Sequence, residues 1–405
     1  MRYVNKGAIM ASLAVFLVLF LLPDESQALP AWARKYGVSC NVCHTPGAPR
    51  LNPLGHQFRK LGYRMPEEIG QEPKYKEIGE YISMRGRARY EFENLGQGKG
   101  GSTSQFKWND ATLFYGGSVT KNLSAFFEWE WDDTDNVGLL GQFSWLMGNA
   151  DRNVNFRIGQ FHTLTRVGWA GFDRPSGIST PDVLSTDITS GGVPFKFNQD
   201  QRGIEAAVSL NKNTRLITQV LNGLNVAGSG NSGSSEGNTN KDFLLAYEQN
   251  LTERGSGFTL TGYRGVWNSA AGNDDLNQYT FYRLGATGSL VFPSPLVKDV
   301  DGELQCGLLY AQDNSPKNAS GIADTVGIGY WVGLEQWLKK GSLFARWDAV
   351  NSNLDSSADL WSNKGTLGFT YNVNDYLRWA TESFLKVKET GSDSAGVTTE
   401  LMFNF

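Results

Sequence analysis

The chain has 405 residues and a formal net charge of −4 at pH 7, so it is too long for one small core and too weakly charged to indicate a nucleic-acid partner. Beyond its amino terminus it contains no long apolar run, which excludes a helical membrane protein. It is rich in glycine (47) and in aromatic residues (12 Trp, 15 Tyr and 23 Phe), a composition that suits an outer-membrane barrel with half-polar strands.

Residues 1–28 have the pattern of a secretory signal peptide. Arg2 and Lys6 supply the positive end, residues 8–22 the apolar run, and residues 26–28 a small-x-small cleavage site. A retained membrane helix is the alternative, but the apolar run is shorter than the ~20 residues that a spanning helix needs. We therefore expect export, with a mature chain that starts at Leu29.

The segment 29–65 contains the motif Cys40-x-x-Cys43-His44. Two thiols at this spacing, followed at once by an imidazole, are the attachment signal of a c-type haem. Each thiol can form a thioether with one vinyl group, and the histidine then lies under the iron as its proximal ligand. The sequence therefore predicts one covalent haem c, held by Cys40 and Cys43 and ligated by His44.

Three other interpretations of the motif are weaker. A thioredoxin-type pair needs a strand–helix unit, whereas the flanks here are rich in proline and glycine. A zinc site built from Cys40, Cys43, His44 and His56 would need two adjacent residues to reach two corners of one tetrahedron. A disulfide across two residues would be strained.

A short helix is predicted directly after the motif. Asn52 is a suitable cap, Pro53 suits the first turn, and Gly62 is a suitable stop. A helix over 53–61 would place His56 and Lys60 on one face. Residues 66–79 form a polar linker that can stretch to at most about 45–50 Å, so the haem segment could hang below a barrel or fold back into it.

From residue 80 onward the pattern has a period of two. In Tyr81–Phe92, small and apolar residues alternate with Arg85, Arg87 and Arg89, which indicates a lipid-facing and a lumen-facing side. About sixteen such segments start near 80, 106, 122, 137, 152, 196, 214, 241, 256, 277, 302, 325, 341, 359, 375 and 395. We expect an all-β transmembrane barrel of about 16 antiparallel strands over residues 80–405, with the amino-terminal helix-and-loop segment as a plug.

A soluble β-sandwich is the alternative fold. It would leave Trp129, Trp131, Trp347, Trp379 and Phe405 on an uncovered outer face, which soluble proteins seldom tolerate.

The connections between segments alternate in length. Short ones lie at 121–122, 211–213, 339–341 and 372–375, and long ones at 94–105, 163–195, 223–240 and 312–324. In bacterial barrels short turns face the periplasm and long loops face outward, so both chain ends should be periplasmic. The 163–195 connection is long enough to fold into the pore or to cap it from outside.

The run LPAWARKYGVSCNVCHTPGAPRLNPLGHQFRKLGYRMP resembles the amino-terminal block of fused outer-membrane monohaem cytochrome–porins. In that family an aromatic-Ala-Arg run precedes the motif, and a Pro- and Gly-containing run follows it, here Pro49, Leu51, Pro53, Gly55, Phe58, Gly62 and Tyr63. The resemblance covers about forty residues and implies a barrel that carries one haem. Its best-known members are iron oxidases, which implies electron transfer from Fe(II) outside to periplasmic cytochromes.

The distal iron ligand is open among His56, Met65 and His162, each of which could instead be an ordinary packed or surface residue. Arg85 and Arg87, with Arg89, could hold the haem propionates or could set the charge selectivity of a pore.

Two further features are the acidic residues of one predicted strand and loop and the third cysteine. The acidic residues Glu128, Glu130, Asp132, Asp133 and Asp135 could gather Fe(II), bridge cations on outer-leaflet lipid or solvate a loop. Cys306 is expected to be a free buried thiol.

The haem motif and the barrel together predict electron transfer across the outer membrane through one haem, with membrane lipid around the barrel. The resemblance implies periplasmic cytochromes and an extracellular donor such as Fe(II) as partners. Two other classes stay open. One is a solute porin in which the haem segment is a gate or sensor, and the other is a periplasmic electron carrier anchored by its barrel.

Overall fold

The computed structural model describes residues 31–46, 50–75, 77–94, 101–132, 137–164, 177–189, 192–224, 240–268, 278–315, 324–356, 360–389 and 392–405. The predicted signal peptide, Asp133, Asp135 and most of the 223–240 connection lie outside these residues. The statements that follow concern the described residues.

Sixteen antiparallel strands form one closed barrel in which each strand pairs with its neighbours in sequence and β1 pairs with β16. Their bounds are β1 Ile82–Asn94, β2 Ser102–Ser118, β3 Leu123–Asp132, β4 Val137–Gly148, β5 Asn153–His162, β6 Asp200–Ser209, β7 Thr214–Leu221, β8 Asp242–Asn250, β9 Gly257–Asn268, β10 Gln278–Pro293, β11 Asp301–Asn314, β12 Thr325–Leu338, β13 Gly341–Asn351, β14 Trp361–Asn372, β15 Leu377–Lys388 and β16 Ser394–Asn404. The predicted all-β barrel is confirmed.

The alternation of side chains along each strand explains why these segments form a membrane wall. On β13, Leu343 and Trp347 are 52% and 50% exposed on the outer face, while Arg346 and Asp348 are buried in the lumen. Lipid covers the outer face, so apolar side chains are stable there. Trp379 departs from this pattern of exposure, because it packs edge-on against Phe369 and is buried.

The predicted strand starts agree with the structure to within four residues. The two largest differences have physical reasons. β2 begins earlier than predicted, at Ser102. Its pairing with β3 starts only at Asp110, but its pairing with β1 extends back to Ser102. β6 begins late, at Asp200, because the residues before it belong to the connection that enters the barrel.

The helices are short. They are α1 Ala31–Tyr36, α2 Pro53–Lys60 and α3 Asp182–Ser185, with single 3₁₀ turns at Cys40–Val42, Pro66–Glu68 and Ile78–Glu80. In the part of the chain that the structure describes, no helix is long and apolar enough to cross a membrane.

Residues 31–65, which we call the N-terminal segment, lie against lumen-facing positions at the end of the barrel that carries the short turns. The indole Nε1 of Trp32 donates to the Gly116 carbonyl at 2.9 Å. The Asn155 side chain donates to the Lys60 carbonyl at 2.8 Å, and the Asn372 side chain to the Pro46 carbonyl at 2.9 Å. Partners on β2, β5 and β14 surround this segment, so it lies in the mouth of the barrel.

The predicted linker, residues 66–79, also contacts the protein. The Glu68 carboxylate accepts a hydrogen bond from the Tyr36 hydroxyl at 2.5 Å and pairs with Lys35 at 3.0 Å. The Tyr75 hydroxyl donates to the Val119 carbonyl at 2.5 Å. The linker therefore follows the rim of the barrel, and the N-terminal segment does not hang below it.

The connection between β5 and β6 enters the lumen from the other end. Its described residues 177–189 and 192–199, which we call the inward segment, are held by charged side chains of the wall. Asp182 pairs with Lys364 at 3.1 Å and with Lys386 at 2.6 Å. The Asp313 carboxylate accepts a hydrogen bond from the Val193 amide at 2.6 Å. Of the two predicted placements for this connection, the structure has the one inside the pore.

The inward segment packs into an apolar cluster within the lumen. Its members from the segment are Val183, Leu184, Ile188, Val193, Phe195 and Phe197, and those from the wall include Ile217, Leu221, Leu244, Phe281, Leu309 and Trp331. Apolar surface of this kind excludes water when it packs together. The lumen beside β7–β12 is therefore filled, and open space is left along β1–β5.

Candidate functional site: a cavity beside the Cys-x-x-Cys-His motif

The motif and helix α2 form one rigid unit. The His44 amide donates to the Cys40 carbonyl at 3.0 Å, and the Asn52 amide donates to the Cys43 carbonyl at 3.0 Å. The Asn52 side chain caps α2 by accepting from the Gly55 amide at 3.0 Å, as predicted. A Cβ on Gly55 would lie 2.0 Å from the Cys43 carbonyl oxygen, so only glycine permits this approach of helix and motif.

A cavity of about 1060 Å³ lies beside this unit. Cys40, Cys43 and His44 line one end of it. It continues past Arg85 and Gln142 on the wall and ends near His162 and Asp200. Ligand sites commonly measure about 300–1,000 Å³, so the space is large enough for a bulky cofactor.

The two motif thiols are free and partly exposed. Burial raises the pKa of Cys43, and burial together with the nearby Asp375 carboxylate raises the pKa of Cys40 to about 11. Both thiols are therefore protonated at neutral pH. The Cys40 sulfur also lies 3.6 Å from the Asp375 carbonyl oxygen, which places it beside the β14–β15 turn.

All three residues considered as distal iron ligands line this cavity. His56 is buried, and burial and the neighbouring Lys60 and Arg59 hold its pKa well below the usual value, so it is neutral, as a ligating imidazole must be. Met65 is buried against Phe58 and Tyr63.

His162 lies at the far end of the cavity, where its Nδ1 accepts a hydrogen bond from the Leu164 amide at 3.2 Å. The distal ligand therefore stays open among the three.

The arginines of β1 are held by acidic side chains of neighbouring strands. Arg85 pairs with Glu130 at 2.9 Å, and Arg87 pairs with Asp110. Arg89 pairs with a carboxylate on β16, that of Glu400, at 2.7 Å. Arg85 and Arg87 line the cavity, so any propionate that they bound would share them with these carboxylates.

The acidic residues of β3 are correspondingly engaged. Glu128 and Glu130 lie 3.6 Å and 2.9 Å from Arg85. Among the described residues, no group of three His, Cys, Asp or Glu side chains is placed to hold a metal ion. Glu128 and Glu130 therefore neutralise Arg85, and these contacts give no support to the alternative that the acidic residues gather Fe(II).

Sequence reasoning missed the cations that anchor the N-terminal segment. Arg50 pairs with Glu303 on β11 and with Glu335 on β12, Lys60 pairs with Glu248 on β8, and Arg64 donates to the Lys121 carbonyl. These contacts join residues up to 285 positions apart, so no local pattern signals them. They spread around the barrel and fix the segment from three sides.

Cys306 is a free thiol, as expected, but the expectation that it is buried was wrong. The residue lies on β11 between outward-facing leucines, and its side chain is exposed on the outer wall. It has no place in the cavity.

Comparison with solved structures finds barrels of the same fold. The anion-selective porin from Comamonas acidovorans has a TM-score of 0.56 at 12% identity, over 80% of this chain and 98% of that one. The outer membrane channel DcaP of Acinetobacter baumannii has a TM-score of 0.56 at 12% identity, over 80% and 96%. OmpT of Vibrio cholerae in its trimer form has a TM-score of 0.50 at 12% identity, over 80% and 99%.

No protein-family model matches the chain, and no curated protein matches it. At these identities the structural likeness concerns the fold alone. The closed barrel and these neighbours together define the class: the chain is a porin-like β-barrel of the outer membrane. Its outer face is accordingly in contact with membrane lipid.

Proposed function

We propose that this protein is an outer-membrane cytochrome–porin that moves electrons between an extracellular donor and periplasmic cytochromes through one covalently bound haem c. One observation carries the proposal. The motif Cys40-x-x-Cys43-His44 lines a cavity of about 1060 Å³ that is also lined by lumen-facing residues of the barrel wall.

The residues present fit a haem c. Two free thiols and an imidazole stand at the spacing of the attachment signal and line a cavity of sufficient volume. Cys40 and Cys43 would hold the porphyrin, and His44 would ligate the iron. His56, Met65 or His162 would be the candidates for a second protein ligand. Arg85 and Arg87 would contribute positive charge near the propionates.

When bound, a haem iron accepts and donates one electron by changing between its ferric and ferrous forms. The protein supplies position and surroundings. The N-terminal segment is anchored to β8, β11 and β12 by Lys60 and Arg50, which holds the motif in the mouth of the barrel. The apolar band of a membrane barrel is about 25 Å tall, so a redox centre within the lumen shortens the gap to both sides.

The inward segment supports electron transfer over free diffusion of solutes. Its apolar cluster fills the lumen beside β7–β12 and excludes water there. An open channel would be expected to have a polar lining throughout. Fe(II) remains one proposed donor, by resemblance of the amino-terminal block alone.

A second function, a solute porin with the haem segment as gate, has specific support. Two of the structural neighbours that share the fold of this chain are an anion-selective porin and an outer membrane channel. Polar side chains, among them Arg85 and Gln142, also line the open space along β1–β5. In this alternative the anchors of the N-terminal segment would hold the gate shut.

Purified protein in sealed vesicles separates the two functions. We expect Fe(II) or another membrane-impermeant donor, added on the loop side, to reduce the haem in a stopped-flow experiment, with little release of a trapped small solute. A Cys40→Ala/Cys43→Ala double variant is the matched control and should give no signal. Solute release that is indifferent to reductants, with no reduction by any external donor, would favour the porin and refute electron transfer.

A further inference from the structure

Tyr63 has a backbone conformation that its residue type seldom adopts. Its φ is +60°, and it follows Gly62, whose φ is +78°. A Cβ on Gly62 would lie 2.5 Å from the Ser124 hydroxyl, so the chain passes very close to the wall here. A non-glycine residue keeps such a conformation only where its surroundings hold it, and such residues cluster at functional sites.

The surroundings of Tyr63 do hold it. Its ring stacks on Trp32, with centroids 5.3 Å apart, and on Phe126, with centroids 4.6 Å apart, and these two rings also contact each other. Its hydroxyl accepts a hydrogen bond from the Gln142 side chain at 3.0 Å. Tyr63 therefore connects the N-terminal segment to β3 and β4, two residues before Met65.

Gln142 begins a chain of buried hydrogen bonds across the wall. The side-chain oxygen of Gln142 accepts a hydrogen bond from the Arg157 guanidinium on β5 at 3.1 Å, and Arg157 pairs with Glu205 on β6. The Gln219 amide on β7 donates at 2.8 Å to Glu205 and at 2.8 Å to the Thr163 carbonyl. All five residues are buried in the lumen, so these bonds are not exchanged with solvent.

The far end of this series of hydrogen bonds lies at the base of the inward segment. Thr163 directly follows β5, and its hydroxyl donates to the Phe197 carbonyl at 3.3 Å. Phe197 belongs to the apolar cluster of the lumen. A continuous set of contacts thus joins the segment that carries the haem motif to the segment that enters from outside.

We propose that Gln142 is a positioning residue, which together with Tyr63 and Gln219 couples the N-terminal segment to the inward segment. A displacement of the inward segment shifts Thr163, and the network passes that shift to Tyr63 and to the cavity wall at Met65. Buried networks of this kind act as a unit, so removing one member loosens the others. The coupling is a property of the chain, while its effect on a haem rests on the proposed function.

Hydrogen exchange of the full-length protein tests the coupling. Tyr63→Phe removes the hydroxyl and keeps the ring stack, so amides of residues 56–65 should exchange about tenfold faster, the effect of one lost buried hydrogen bond on local opening. Gln219 does not contact these amides, yet Gln219→Leu should also increase their exchange rates. In the double variant these rates should be no higher than in either single variant. Gln219→Asn, a milder change, serves if the leucine variant fails to fold.

Tyr247→Phe is the matched control, because it removes another tyrosine–glutamine hydrogen bond, to Gln249 at 2.8 Å, outside the network. It should leave residues 56–65 unchanged. The proposal would be overturned if the increases in exchange rate caused by Tyr63→Phe and Gln219→Leu multiplied in the double variant. It would also be overturned if neither Gln219 variant changed these rates.

The haem gives a second readout. Tyr63→Phe and Gln219→Leu should shift its midpoint potential in the same direction and by the same amount as the double variant, whereas Tyr247→Phe should not. Coupled exchange in a protein without haem would refute the proposed function and leave the network intact. A bound haem with uncoupled exchange would refute only the network.

Discussion

Replacing Arg50 with methionine removes the cation that the N-terminal segment places between Glu303 and Glu335. Arg50 pairs directly with Glu303 and lies 3.6 Å from Glu335, and both carboxylates are 1% exposed. Methionine keeps much of the side-chain volume, so the change isolates the charge. The two carboxylates would then be left without their cation in a site that water does not reach.

Breaking a buried ion pair by removing one partner costs about 3–5 kcal/mol, because the other charge stays buried. Glu303 and Glu335 can take up protons and lose their charge, which sets an upper limit on this cost. Arg50 holds the N-terminal segment and not the strand ladders, so the cost should fall on docking of that segment while the barrel stays closed. A loss of about 3 kcal/mol corresponds to an opening about 100-fold more frequent, since each 1.4 kcal/mol is a factor of ten.

Hydrogen exchange of residues 50–65, compared with strands β7–β9 of the same protein, measures this docking. We expect faster exchange in the segment and unchanged exchange in the strands. Lys212→Met is the control, because Lys212 and Glu253 form a 3.5 Å pair that is 61% and 94% exposed, and such surface changes stay within about 0.5 kcal/mol.

A triple variant, Arg50→Met with Glu303→Gln and Glu335→Gln, should recover much of the protection, because no buried charge is left unpaired. A triple variant that exchanges as fast as Arg50→Met would refute the electrostatic argument. An Arg50→Met protein with unchanged exchange would refute the anchoring itself.

The remaining predictions concern close contacts and the motif. Gly307→Val should destabilise the barrel by about 1–3 kcal/mol in urea unfolding, because a Cβ there would lie 1.7 Å from the Trp331 ring, whereas Gly333→Ala, with its nearest neighbour at 3.7 Å, should not. Gly327→Val should dislodge the inward segment, because a Cβ at this position would lie 2.1 Å from the Ile188 carbonyl oxygen. Protease cleavage near residue 188 should increase, and an unchanged cleavage rate would contradict this packing. If a haem c is bound as proposed, Cys40→Ala/Cys43→Ala should leave barrel folding intact and abolish the covalent haem that a stained denaturing gel detects in the parent protein.

The fold could be predicted from the sequence because its main cause is local. Alternation on β13, with Leu343 and Trp347 outward and Arg346 and Asp348 inward, follows from the pleat of a strand and needs no knowledge of its neighbours. The capped start of α2 at Asn52 is equally local. The number of strands follows once these patterns are counted.

What fills the lumen could not be predicted in the same way. The 163–195 connection is compatible with two placements, and the choice depends on distant wall residues such as Lys364 and Asp313. Arg50 gives no local sign that it meets Glu303. The alternation of β1 predicts that Arg85 and Arg87 face the lumen. Their carboxylate partners lie on other strands, and only the register between neighbouring strands shows which carboxylates these are.

The most direct test of the account is the intact mass of the exported protein, purified from a host that matures c-type cytochromes. We expect the mass of the mature polypeptide plus one haem, together with a Soret band, and the bare polypeptide mass for Cys40→Ala/Cys43→Ala. A correctly folded barrel that has only the bare polypeptide mass under those conditions would contradict it.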